Sequence, residues 1–530
     1  MNKVRLRVVL VELVALSLLA SALAVPALAE EEYQVVATLQ SPEPEDNAGF
    51  SHSVAVSGDI VVVGEAFARV EGFNYAGKVY IFESDGNLKV TLQSPTPQRE
   101  ALFGDSVAVR GDIVLVGEPF LTVDGKKYAG RAYIFDSNGN LQATLQSPPG
   151  LDQPRFGRSA ALSEEKIVVG GRGADVEGVY EAGKVYVYDP DGNLLATLQS
   201  LEPITQAKFS YSVACSRGII IVGEPDSPVE DKIGAGNAFI FDSEGNLLKT
   251  LQAPEPQEYG SFGFSVAVSG DLVVVGEYNA EADGYGKAGK AYIFDLDGNL
   301  LAALQSQEPD ENALFGSSVA ISGYLIIVGE PRADGEVMNE GRAYIFDTDG
   351  GLVGTLQAPI PGVGAEFGST MAASEDILVI GEPGADVEGK GKAGRVYIFQ
   401  AGAAAFTSSG LNIEPSSVDV GGTVTISVEV TNTGAKSGTH TVALMIDGEV
   451  EDEKTVTLNP DESETVSFQV SAAEQGSYSV EVDGLTGSYT VTETPEKPSF
   501  GDRIPGFPYM AIILGLMTGI FIIWLLQRRH

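Results

Sequence analysis

The chain has 530 residues and a single cysteine, Cys215, and its 33 Lys and Arg against 73 Asp and Glu give a formal charge of -40. So acidic a surface repels nucleic acid and anionic lipid head groups, and one cysteine excludes an internal disulfide. Hydrophobic cores must therefore hold the chain together, and with no N-x-S/T sequon conventional N-glycosylation has no acceptor.

Residues 1–29 carry Lys3, Arg5 and Arg7, an apolar run from Val8 to Leu19 interrupted by Glu12, and Ala27-Leu28-Ala29. This is the order of a secretory signal peptide, with the mature chain expected to begin at Glu30.

From residue 30 to 401 one pattern repeats. A phenylalanine followed by "SVAVSGDIVVVGE"-like residues recurs at Phe50, Phe103, Phe156, Phe209, Phe262, Phe315 and Phe367, spaced by 53 residues and, in the last interval, 52. A period near 50 indicates a propeller or a solenoid. Each copy reads as four short strands: A ("SVAVS"), B ("DIVVVGE"), C ("GKVYIFD") and D ("NLKVTLQS"), rich in Val, Ile, Tyr, Phe and Thr and separated by Gly, Asp, Asn or Pro. Strands B and C are apolar at successive positions, as expected of strands buried on both faces. The last copy stops after strand C at Gln400, while "YQVVATLQS" precedes the first phenylalanine. This offset predicts a closed ring of seven four-stranded blades, the N-terminal segment supplying the missing D strand.

Phe-Gly before strand A, "Gly-Glu-Pro" after strand B and the following "GKVYIF" resemble the FG-GAP repeats of the integrin α-subunit propeller and of many prokaryotic surface proteins. The resemblance implies a seven-bladed β-propeller and a binding role. Its calcium sites, which lie in Asp-rich loops, do not carry over, because the A–B connections here are tight turns such as Ser57-Gly58-Asp59, Arg110-Gly111-Asp112 and Ser269-Gly270-Asp271. Arg110-Gly111-Asp112 matches the tripeptide recognised by adhesion receptors, yet it occupies the same hairpin turn as its neighbours and reads as turn chemistry.

The B–C and D–A connections run to about ten residues and, in antiparallel order, share one rim. Their sequences vary among blades, "AFARVEGFNYAG" against "RGADVEGVYEAG", which favours recognition of an extracellular protein or glycan. Six blades end strand B with Glu65, Glu118, Glu224, Glu277, Glu330 and Glu382, and the third has Gly171. These glutamates read either as a rim ring attracting cations or basic ligands, or as a repeated structural device. For a metal, calcium included, the candidates are Asp175, Glu177, Asp386 and Glu388 in twin "GADVEG" loops; Asp189, Asp191 and Gly192 resemble a calcium-loop start without its later ligands. Histidines occur only at 52, 440 and 530, so no His dyad forms, and His52 reads as loop variation at a position held elsewhere by Asp105, Arg158, Tyr211, Phe264, Ser317 and Ser369. Cys215 reads as a small hydrophobe of strand A. No catalytic residues or cofactor are assigned; an exported polysaccharide-acting enzyme using channel carboxylates, and an architectural envelope component, are the alternatives. Clustering of unlike polar groups at the channel mouth would favour the enzyme.

After a linker at 402–410, residues 411–492 alternate apolar and polar over six or seven strands, as in an immunoglobulin-like β-sandwich. "VEVTNTGAKSGTHTVALMIDG" resembles CARDB-type modules of prokaryotic surface proteins. A Pro-rich stalk at 493–508 leads to an uncharged apolar run at 509–526, expected to be a transmembrane helix, and a short tail at 527–530 with Arg528 and Arg529 on the cytoplasmic side. Pro505-Gly506-Phe507 before that helix resembles the archaeal PGF-type sorting signal. The expected protein is thus all-β with one C-terminal helix, anchored at the cell surface and single-pass.

Overall fold

The computed structural model describes residues 33–149, 151, 153–375, 377–402, 404–434, 437–460, 462–471 and 473–493. The expected signal peptide, most of the stalk, the apolar run at 509–526 and the PGF signal lie outside the described residues; among those described, no helix is long and apolar enough to cross a membrane. The chain divides into two units, with the boundary between Ala403 and Ala404.

The first unit is built of seven four-stranded antiparallel sheets. In blade 1, strands A to D are Phe50–Ser57, Ile60–Glu65, Lys78–Glu83 and Leu88–Gln93. Strand B is buried almost throughout, whereas strand D alternates exposed residues with a buried Leu92, because D is the outer edge and B lies between neighbouring blades. The seventh blade closes as the offset predicts: Tyr33–Leu39 pairs antiparallel with Arg395–Ala401, with Tyr33 opposite Ala401 and Leu39 opposite Val396.

Side chains of the A strands complete the ring. Ser53 Oγ donates to Gly104 O in the next blade at 2.8 Å, and the same bond recurs from Ser106, Ser159, Ser212, Ser265 and Ser318. The seventh, Thr370 Oγ1 to Ser51 O at 2.8 Å, joins the last blade to the first. The recurring phenylalanine is fully buried between blades: Phe103 meets Tyr133 at 5.7 Å and Phe135 edge-on at 6.2 Å, sealing a core with Val62, Ile81 and Val116. The strand B glycine is fixed by the same approach, since a Cβ on Gly117 would stand 2.0 Å from Gly157 O.

The second unit is a two-sheet β-sandwich. One sheet contains Phe406–Glu414, Thr423–Asn432 and Ser463–Ser471; the other contains Ser417–Asp419, Leu485–Thr492, Gly476–Val482, Gly438–Ile446 and Glu449–Leu458. Val424, Ile426, Leu444, Phe468 and Val480 lie in the core between them. The expected linker at 402–410 is corrected: residues 406–410 belong to the first strand. Its Ser- and Thr-rich sequence is only half-buried at a sheet edge, so it carries no apolar alternation strong enough to betray a strand.

Candidate functional site

The strand B glutamates do not form an open ring. Glu65, Glu118, Glu224, Glu277, Glu330 and Glu382 are each at most 1% exposed. Tyr80, Tyr133, Tyr292 and Tyr344 of strand C donate to the carboxylates of Glu65, Glu118, Glu277 and Glu330 at 2.7–2.8 Å, and Ser41, Ser94 and Ser306 from the preceding D–A loops add a second donor to the first, second and fourth of these. Arg395 Nη1 lies 3.2 Å from Glu382 Oε2. The Oε1 atom of all six is buried without a partner, which suits a protonated carboxyl better than an ionised one. Burial pushes these carboxyls up to about 7, and Glu224 to about 8. They are internal struts pinning strand B to strand C, and the cation-attracting rim reading is corrected on that ground.

The metal candidates brace their own loops. Asp175 Oδ1 accepts from Glu181 N at 2.9 Å, Asp386 Oδ1 from Lys392 N at 3.0 Å, and Glu388 Oε1 from Gln40 Nε2 at 3.0 Å; Glu177 is exposed in the same tight turn as Glu388. Asp189 accepts from the backbone and side chain of Asn193 at 2.8 and 2.9 Å, an Asx turn repeated at Asp136, Asp242 and Asp295. Among the described residues no three His, Cys, Asp or Glu side chains come together in a metal-binding arrangement.

The Arg110-Gly111-Asp112 turn is held internally. Arg110 Nη2 pairs with Glu164 of the next blade at 2.6 Å, Gly111 N donates to Ser57 Oγ, and Asp112 accepts from Ser137 N. Gly111 has φ 54°, as the first central position of a II′ turn requires. Cys215 is half-buried beside Val213 at the edge of an interblade core, and burial pushes its thiol up to about 12.

The opposite, long-loop mouth of the ring is different in kind. The position two residues after each repeat phenylalanine brings His52, Asp105, Arg158, Tyr211 and Phe264 from five successive blades into a chain of contacts. His52 Nε2 lies 3.2 Å from Asp105 Oδ1, and Arg158 Nη1 bonds Asp105 Oδ2. Burial raises the Asp105 carboxyl, but the Arg158 guanidinium and the His52 bond outweigh it and hold its pKa below the usual range. Tyr211 packs against Phe264 with ring centres 4.7 Å apart and planes tilted by 37°, and Phe264 against Tyr278 at 4.0 Å and 36°. Arg172 lies over Tyr211, 5.4 Å from the ring centre. Arg172 and Tyr278 stand directly after strand B, where other blades have Ala66, Pro119, Pro225, Pro331 and Pro383.

Beside His52, which packs on Phe67 at 4.9 Å, an open groove runs over blades 1 and 2. Phe67, Tyr75, Leu102, Phe120 and Tyr128 line it, with Asn47 and Glu100 at its polar edge and a volume of about 600 Å³. Tyr75 and Tyr128 are 45% and 38% exposed, too exposed to be core residues. Their loops are stitched to the D–A loops by backbone bonds such as Leu102 N to Tyr75 O and Phe120 N to Ala101 O, so the groove is pre-formed.

Reading His52 as loop variation missed this cluster. The available signal was unlike residues at one position of an otherwise uniform repeat, together with the replacement of Pro or Ala by Arg172 and Tyr278. A second mark is backbone strain: Ser51 and Ser210, preceding His52 and Tyr211, hold φ of 79° and 75° where the other five blades have glycine.

The FG-GAP repeat family matches residues 247–294 and 301–346, each span running from a D strand to the C strand of the next blade, and the CARDB family matches residues 409–497. Integrin alpha-2 of Bos taurus is 30% identical over 135 residues, covering 22% of this chain and 11% of the integrin. The chain thus carries FG-GAP repeats in its first unit and a CARDB domain in its second.

Proposed function

We propose that this is a cell-surface recognition or adhesion protein, without catalytic activity, that binds an extracellular protein or glycan through the long-loop rim of its propeller. The apolar run at 509–526 would anchor it in the membrane. FG-GAP repeats and integrin alpha similarity support a ligand-binding or adhesion-type role. The observation that carries the reading is the convergence of unlike side chains from five blades at one repeat position, next to a pre-formed aromatic groove.

A second reading is an exported polysaccharide-acting enzyme, favoured by the His52–Asp105 pair beside Arg158 and Tyr211. Against it, both Asp105 oxygens are already engaged, and the neighbouring carboxylates Glu181 and Asp226 are tied to Arg155 and Lys208. The test is a glycan and surface-protein array, run with calcium and with chelator, followed by product analysis of every hit. Saturable binding of an intact ligand supports recognition. Cleavage supports the enzyme, and silence across the array supports an architectural role.

A further inference from the structure

We propose that the Arg172 corner of the channel mouth binds the anionic group, carboxylate or sulfate, of an acidic glycan; this rests on the rim-recognition reading above.

Of the four cations clustered about Tyr211, namely Arg155, Arg158, Arg172 and Lys208, three are tied to carboxylates. Arg155 is paired with Glu181 at 2.7 Å, Arg158 with Asp105, and Lys208 with Asp226. Arg172 has no carboxylate within ion-pair distance among the described residues, and its Nε is inaccessible and without a hydrogen-bond partner. Burial lowers its proton affinity and the like charges of Arg158 and Arg155 add to that, outweighing the opposite pull of Tyr211 and Asp105. A half-buried guanidinium that has the Tyr211 ring face and a more distant Asp105 near it, but no direct ion pair, is incompletely compensated. It is also out of pattern in a chain with 73 acidic residues, where a carboxylate partner would be easy to supply.

Blade 3 shows how the imbalance arises. There the strand B glutamate is Gly171, and the next residue, elsewhere Pro, Ala or Tyr, is Arg172. Gly171 removes the buried carboxyl that could have bonded a neighbouring side chain, and Arg172 adds a guanidinium beside it, so a planar, forked donor is presented that a ligand oxyanion could pair. A sugar is favoured over an acidic peptide by what surrounds the charge. The tilted rings of Tyr211, Phe264 and Tyr278 lie beside it, and the exposed rings of Tyr75 and Tyr128 line the groove on the same rim. The electron-rich faces of such rings suit the C–H face of a pyranose.

The test is calorimetric titration of the purified protein with oligogalacturonate, its neutral methyl ester, a sulfated dextran oligomer and poly-glutamate. The proposal expects an acidic sugar to bind at least tenfold more tightly than the ester, with affinity falling as salt rises; the carboxylated and sulfated arms identify which anion is preferred. Arg172→Gln should weaken that binding about tenfold or more, Arg172→Lys, which keeps the charge but not the fork, should restore only part of it, and Arg110→Gln, at the opposite mouth and paired with Glu164, should not change it. Circular dichroism of each variant guards against misfolding. Binding of both acidic sugars no tighter than the neutral ester, or wild-type affinity in Arg172→Gln, would overturn the anion site. If a neutral ligand bound the rim with Arg172→Gln unaffected, the anion site would fail while rim recognition survived. Preference for poly-glutamate would replace the glycan by an acidic peptide and overturn the proposal as stated.

Discussion

Replacing Glu277 by glutamine tests the claim that the buried glutamates work as neutral struts. Glu277 is fully buried, Tyr292 Oη donates to it at 2.7 Å, and burial pushes its pKa from 4.5 up to about 7. Between those values the folded chain keeps a proton that the unfolded chain has lost. The stability tied to that proton is therefore fully present below about pH 4.5 and is lost as pH rises through about 7, at about 1.4 kcal/mol per pH unit. Over the whole interval one glutamate accounts for roughly 3 kcal/mol. Glutamine keeps the size and an acceptor for Tyr292 but does not titrate. At pH 5 the variant should be close to the wild type in stability; at pH 7.5 it should be the more stable by up to about 3 kcal/mol. Urea unfolding followed by far-ultraviolet circular dichroism at pH 5, 6, 7 and 8 measures both curves. Parallel pH dependence in the two proteins would refute the reasoning, and a variant less stable at every pH would show an ionised strut instead.

Three further substitutions probe the same frame. Tyr186 faces Gly171 instead of a glutamate and its hydroxyl is buried without a partner, so Tyr186→Phe should be neutral or stabilising, whereas Tyr133→Phe, which strips Glu118 of its 2.7 Å donor, should cost about 1–2 kcal/mol in the same urea assay. Ser210→Gly relieves a residue held at φ 75° whose buried hydroxyl also lacks a partner, and should raise stability by about 1 kcal/mol; a loss would mean the serine makes an interaction that outweighs the strain. Gly117→Ala drives a Cβ into Gly157 O and should lower the thermal midpoint by more than any exposed-loop substitution, for instance Tyr128→Ala.

The fold was legible because each blade repeats its hydrophobic runs and turn glycines seven times, and because a missing last D strand and an extra first one can be read by counting. The sandwich was legible through alternation in Thr423–Asn432 and Ser463–Ser471, but not in Phe406–Glu414, whose Ser- and Thr-rich edge carries no such contrast. The site was harder for a physical reason. Glu65 and its counterparts attract notice by repetition, yet repetition marks a structural duty, and they lie inside. The residues proposed to bind sit where the repeat is broken: His52, Asp105, Arg158 and Tyr211 share a position but no chemistry, and only the packing of successive blades makes them neighbours. Arg172 gains its meaning from Gly171 beside it, a pairing that no spacing rule isolates.

The most direct test of rim recognition is a hydroxyl-radical footprint of the protein with its best array ligand bound. Protection should fall on Tyr75, Tyr128, Tyr211 and Tyr278 at the long-loop rim, while the Arg110 turn and its neighbour Ile113 at the opposite mouth react as in the free protein. Protection of the Arg110 mouth with the long-loop tyrosines unchanged would contradict it.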